Sequence, residues 1–204
     1  GSGAVAAWVA RECPDRESVG NDADPWAVCL LRAASTGWTP PTDVSEGAYR
    51  ALQERARAGE VSPAVAFAGF ASSWRGKFFG GRTRPWTRQR EPVRAAAEAW
   101  REDAIQLARA DVREVHYEAL PEAIGVRAGD LWYFDKPYAG TSGYGPPFDH
   151  AHFWGWAADL AQQVPLLVSE YRAPGGWWSE WSMIRVEYLA HQKVCDRVFR
   201  YFRG

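Results

Sequence analysis

Asp135, Lys136, Pro137 and Tyr138 stand directly after the apolar run Leu131-Trp132-Tyr133-Phe134, and their types could do chemistry together. Ligands in open α/β sheets bind beyond the carboxyl ends of the strands, so an Asp at such an end faces substrate. Pro137 stiffens the backbone and Tyr138 offers a flat aromatic face, while Gly140, Gly143 and Gly145 make the next segment close-fitting or mobile. The exocyclic amine of adenine is a poor nucleophile because its lone pair is delocalised into the ring. A carboxylate on one amine hydrogen and a backbone carbonyl on the other return electron density to that nitrogen, which can then attack a sulfonium methyl. The base must first leave its duplex, and an aromatic plate offsets part of the unstacking cost of roughly a few kcal/mol. Asp135, the carbonyl of Lys136 and Tyr138 suit these three roles. Taken alone, the tetrapeptide is equally a turn after a strand.

Strands and helices have to place that tetrapeptide. Ala4–Ala10 reads as a helix and Ser18–Asp22 as a strand, and Asp24-Pro25 caps a helix carried by Trp26–Ala34. Gly37 and Pro40-Pro41 end it. Ser45–Ala58 is a polar helix, and Ser62-Pro63 opens a nearly continuous apolar one over Ala64–Ala71. A long helix restarts at Glu91-Pro92 and runs to about Ala110, with Val93, Ala97, Trp100, Ala104 and Leu107 at three- and four-residue spacing. The pattern then changes: strands at Glu114–Tyr117 and Leu131–Phe134, a helix capped by Asp149 and running to about Gln163, and strands at Leu166–Ser169, Met183–Tyr188 and Val194–Phe202. Such alternation predicts an α/β domain with a mostly parallel sheet.

The 204 residues are a one-domain length, and 47% hydrophobic with 24% charged is an ordinary globular balance. No apolar run reaches the length of a membrane span and no signal peptide is visible, so a cytoplasmic protein is expected. Cys13, Cys29 and Cys195 are scattered without metal-ligand spacing and read as reduced thiols. The net charge of −1 does not suggest a nucleic-acid binder, but its distribution does: between Arg75 and Arg94 seven basic residues meet one acid, Glu91. His150 and His152 do not face each other on a helix and lack ligand partners, so no metal is expected. No Gly-x-Ser-x-Gly elbow supports a serine nucleophile. Trp177, Trp178 and Trp181 could stack on sugars, although core packing or a DNA-side wall is the simpler reading.

Around the tetrapeptide the chain resembles the Dam-like, phage-type DNA adenine methyltransferases, whose Asp-Pro-Pro-Tyr is followed by Ala-Gly/Asn-Thr-Thr-Gly-Tyr. Here the segment reads Asp135-Lys136-Pro137-Tyr138-Ala139-Gly140-Thr141-Ser142-Gly143-Tyr144. The likeness continues through Phe148-Asp149-His150, Phe153-Trp154-Gly155-Trp156 and Val168-Ser169-Glu170-Tyr171-Arg172-Ala173-Pro174. Upstream it takes in Asn21-Asp22-Ala23-Asp24-Pro25-Trp26, Gly37-Trp38-Thr39-Pro40-Pro41, and Gly69-Phe70 through Gly76-Lys77-Phe78-Phe79-Gly80-Gly81. The resemblance implies a Rossmann-like methyltransferase fold, with S-adenosylmethionine as methyl donor and DNA as partner. It implies transfer to the 6-amino group of adenine in a restriction-modification or phage anti-restriction setting. It assigns catalysis to Asp135, Lys136, Pro137 and Tyr138. It assigns cofactor contacts to Gly1, Gly3, Asp22, Tyr117, Glu118 and Asp135, with Asp22 on the ribose hydroxyls. It makes Arg75, Lys77, Arg82, Arg84, Arg88 and Arg90, interleaved with Trp74, Phe78, Phe79 and Trp86, a DNA-recognition loop.

The division this implies is a cofactor part over residues 1–36, a helical insertion with the basic loop over 37–112, and a catalytic part over 113–204. A monomer in a bacterial cell or phage-infected host is expected. Two departures bear on activity. Lys136 replaces the family's first Pro; its carbonyl survives, Pro137 keeps it extended, and its cation is expected to point outward, where it avoids unpaired burial and could grip a phosphate. The family's first strand should precede Gly1, so the central strand of the sheet is expected to be missing. The alternatives are a catalytically inactive DNA-binding relative and a methyltransferase acting on RNA or on protein glutamine.

Overall fold

Four of the described helices begin where the sequence supplies a side-chain cap. In a computed structural model describing residues 3–73, 76–83, 92–140, 148–189 and 192–201, Asp24 accepts hydrogen bonds from the amides of Trp26 and Ala27. It opens α2 (Pro25–Ala33), which α1 (Ala4–Glu12) and β1 (Val19–Asn21) precede. Ser45 accepts from Ala48 N at the start of α3 (Glu46–Arg57), and Ser62 accepts from Val65 N at the start of α4 (Pro63–Ala71). These side-chain oxygens satisfy amides that the first helical turn leaves unpaired, an effect of about 1 kcal/mol each.

Two compact units result, residues 1–120 and 121–204. The first adds α5 (Pro92–Leu107) and β2 (Asp111–Arg113) to the elements above. Its core joins Val44, Tyr49, Phe67, Ala68, Val93 and Ala97, with Trp38 edge-on to both Phe67 and Trp100. Burying a side chain the size of Phe67 contributes roughly 1.5–3 kcal/mol. Val93, Ala97, Trp100 and Leu107 form the buried stripe of α5, as their spacing predicts. A smaller cluster packs Ala7 of α1 against Leu31 and Leu107.

β1 and β2 run parallel, Val19 opposite Asp111 and Asn21 opposite Arg113. The strand expected over Glu114–Tyr117 is therefore corrected: it lies three residues earlier, and Tyr117–Ala119 is a 3-10 turn. Asn21 causes the exit. Its side-chain amide donates to Val115 O at 3.0 Å and accepts from Val115 N at 3.2 Å, replacing the next rung of the ladder with a side chain.

The second unit, entered through α6 (Leu120–Ile124), contains β3 (Trp132–Phe134), α7 (His150–Leu160), β4 (Leu166–Glu170), β5 (Trp177–Leu189) and β6 (Gln192–Tyr201). The sheet order is β3-β4-β6-β5, with β1-β2 a separate pair. β3 and β4 are parallel, whereas β6 runs antiparallel to both β4 and β5. The mostly parallel sheet expected is thus mixed. Only two residues separate β5 from β6, too few for a parallel crossover. β1 and β3 each stand at an edge of their sheets. Phe153, Ala157 and Leu160 of α7 are buried along with Leu166 and Val168 of β4. Asp149 caps α7 by accepting from His152 N.

Candidate active site

Register places the tetrapeptide. Trp132, Tyr133 and Phe134 lie opposite Leu166, Leu167 and Val168, so one step beyond the last rung brings Asp135 beside Ser169 and Lys136 beside Glu170. Asp135 is exposed at the carboxyl end of β3, and its Oδ1 accepts a 2.7 Å hydrogen bond from the buried Ser169 hydroxyl. Pro137 is exposed and Tyr138 half-buried. The Tyr138 ring meets that of Tyr171 edge to face, with centroids 4.7 Å apart. A carboxylate with one oxygen anchored, next to an aromatic ring, can accept an N–H and hold a planar group at van der Waals distance.

Lys136 points inward, which corrects the expected outward cation. Its side chain is 3% exposed and forms an ion pair with Glu170, whose side chain is 1% exposed. The ammonium also approaches His150 Nδ1 and Pro137 O, each at 3.3 Å. The rings of Phe148, Phe153 and Trp154 lie 5.3–5.8 Å from it. An unpaired ammonium would not tolerate this depth, but a hydrogen-bonded countercharge and aromatic faces offset the desolvation.

In the first unit, Asp22 follows β1, and its Oδ1 accepts from Asp24 N at 2.9 Å, so it shapes the entry to α2. Tyr117 and Glu118 sit in the 3-10 turn beyond β2, with Glu118 3.0 Å from His116 Nδ1. The tie between Asn21 and Val115 keeps these two segments adjacent. Asp22 is thus a carboxylate at a strand end. Gly3 precedes α1 with φ 77°, a conformation that favours glycine, and a Cβ there would meet Leu31 Cδ2. Gly1 lies outside the described residues.

Of the basic set, Lys77 and Arg82 are described and exposed, and Arg75, Arg84, Arg88 and Arg90 lie outside the described residues, as do Trp74 and Trp86. Arg82 donates Nη2 and Nε to Val44 O at 2.9 and 3.3 Å. Phe78 and Phe79 pack into an aromatic cluster. Phe78 is 4.6 Å from Trp26 between centroids, and Phe79 is 5.2 Å from Tyr49. Trp177 is buried against Trp154, which favours core packing over sugar stacking at that position.

Among the described residues no group of three or more His, Cys, Asp or Glu side chains could hold a metal ion, and no helix is long and apolar enough to cross a membrane. Ser169 and Glu170 had no role assigned from sequence. The available signal was two polar residues closing the apolar run of a strand next to the one that bears Asp135.

No protein-family model matches the chain, and none of the curated proteins is similar to it at a significant level. Among solved structures, the rRNA methyltransferase AviRa from Streptomyces viridochromogenes aligns over 98% of this chain and 73% of its own, with TM-score 0.39 and 14% identity. At that level of likeness, the chemistry of the site itself has to carry any functional reading.

Proposed function

We propose that the chain transfers a methyl group from S-adenosylmethionine to the exocyclic 6-amino group of adenine in DNA. The observation that carries this reading is the exposed Asp135 carboxylate at the end of β3, anchored through one oxygen by Ser169 and followed by the half-buried Tyr138. Asp135 accepts one amine hydrogen and the Lys136 carbonyl the other, which keeps the nitrogen lone pair out of the ring. Tyr138 stacks on the extruded base. S-adenosylmethionine, when bound, supplies an electrophilic methyl on a sulfonium. The amine nitrogen forms the new bond to that methyl as the carbon–sulfur bond breaks, and the surplus amine proton leaves towards Asp135.

Asp22 and the Tyr117-Glu118 turn are the residues proposed to hold the methyl donor, Asp22 through the ribose hydroxyls. Because Lys136 is neutralised by Glu170, its inward ammonium does not oppose a cationic donor. The basic stretch from Arg75 to Arg94 is proposed to contact DNA phosphates. The test is incorporation of labelled methyl groups from S-adenosylmethionine into DNA, with RNA and glutamine-bearing protein as competitors. Incorporation into DNA that disappears in Asp135→Ala supports the reading. DNA binding without incorporation indicates a non-catalytic relative, and preferential labelling of RNA or protein redirects the substrate.

A further inference from the structure

Three consecutive residues at the end of β4 each hold a different part of the segment that follows β3. The Ser169 hydroxyl takes Asp135 Oδ1. Glu170 Oε2 accepts from both Lys136 Nζ and, at 3.1 Å, Ala139 N. Its Oε1 accepts from Tyr171 N at 2.7 Å, and the Tyr171 ring packs edge-on against Tyr138. Glu170 therefore grips the chain on both sides of Pro137-Tyr138: at the side chain before the pair and at the backbone amide after it. Both aromatic rings of the site hang from backbone that this one carboxylate holds.

A carboxylate is acceptor-only, and three donors converge on this one. No neutral residue of similar size offers that. A Gln amide would turn N–H groups towards at least one donor, and Leu would accept nothing. Breaking a buried ion pair by removing one partner strands the other charge and destabilises the fold, whereas replacing both with apolar groups of similar volume is often tolerated. The stability of this pair and its positioning role can thus be separated.

We infer that Glu170 is the positioning residue of the site, a buried carboxylate that clamps Lys136 and Ala139 and so sets where Asp135 and Tyr138 meet the substrate. Its consequence for turnover rests on the methyl-transfer reading; the clamp itself does not. Misplacing a reacting group by about 1 Å costs on the order of a hundredfold in rate, so loosening this segment lowers kcat while the KM for the methyl donor stays within about twofold.

The experiment compares the wild-type chain with Glu170→Leu, Lys136→Met and the double variant Lys136→Met/Glu170→Leu. Thermal unfolding, amide hydrogen exchange at Ala139 and Tyr171, and methyl transfer are followed. The single variants are expected to lose stability through their stranded partner. The double variant is expected to recover most of it, with exchange at Ala139 and Tyr171 at least about tenfold faster than in wild type and kcat still down about a hundredfold. A double variant that recovers kcat together with stability overturns the inference, because a merely structural pair would behave that way. So does wild-type-like protection of the two amides once Glu170 is gone. If the wild-type chain transfers no methyl group at all, the reaction fails and exchange alone decides the clamp. Protection in wild type that is lost in the folded double variant sustains it, and equal exchange in the two refutes it.

Discussion

Asp135 presents two oxygens, and Ser169 holds one of them. A hydrogen bond from a hydroxyl to a carboxylate is charge-assisted, and here it also restricts rotation of the group. Ser169→Ala is expected to leave the fold intact and to lower kcat roughly tenfold or more, with Ser169→Thr restoring part of it, as read from initial rates of methyl transfer. Asp135 itself was legible from sequence as a polar residue at the carboxyl end of an apolar run. The inward Lys136 cation is not legible in the sequence because its countercharge, Glu170, lies 34 positions away on the next strand. Outward placement follows from the cost of an unpaired buried charge, and pairing removes that cost. Cys29 and Cys13 differ in a way that alkylation can read. Burial pushes the Cys29 thiol up and half-covers it, whereas Cys13 is exposed, so Cys13 is expected to label first.

Elements with a side-chain cap or a long period are legible in the sequence, as are β1, β3 and β4, whereas β2 is not. Asp24, Ser45, Ser62 and Asp149 each predict a helix start that the structure contains, because a cap is local chemistry. β2 was placed three residues late because apolar content alone favoured Val115 over Asp111, while the actual rung partner depends on Asn21 across 94 residues. Asn21→Ala is expected to cost about 1–3 kcal/mol in denaturant unfolding by leaving the two Val115 backbone groups without it. The link between α3 and α4 has a pH signature. Arg55 donates through two nitrogens to Glu60, and hydrogen bonds from Arg55 first and Ser62 second hold the Glu60 carboxyl below the usual carboxylate range. A carboxyl lowered in the folded state stabilises above its unfolded value, about 4.3, and loses that contribution as pH falls through the folded value. Thermal unfolding of wild type and Glu60→Gln should therefore converge in acid and separate above about pH 5.

For the whole molecule, charge distribution carries more information than the net charge of −1. If the basic stretch contacts phosphates, each contact removed lowers the slope of log affinity against log salt by about 0.9. Replacing Lys77, Arg84, Arg88 and Arg90 with Gln should flatten that slope by about three to four in DNA-binding titrations. Arg82 is left out because its guanidinium also supports the Val44 carbonyl. The most direct measurement is mass spectrometry of nucleosides from DNA incubated with the protein and S-adenosylmethionine, comparing wild type with Asp135→Asn. The reading requires N6-methyladenine in the wild-type digest and its loss in Asp135→Asn with DNA binding retained. Equal N6-methyladenine from both proteins, or methylation of a different base, would contradict it.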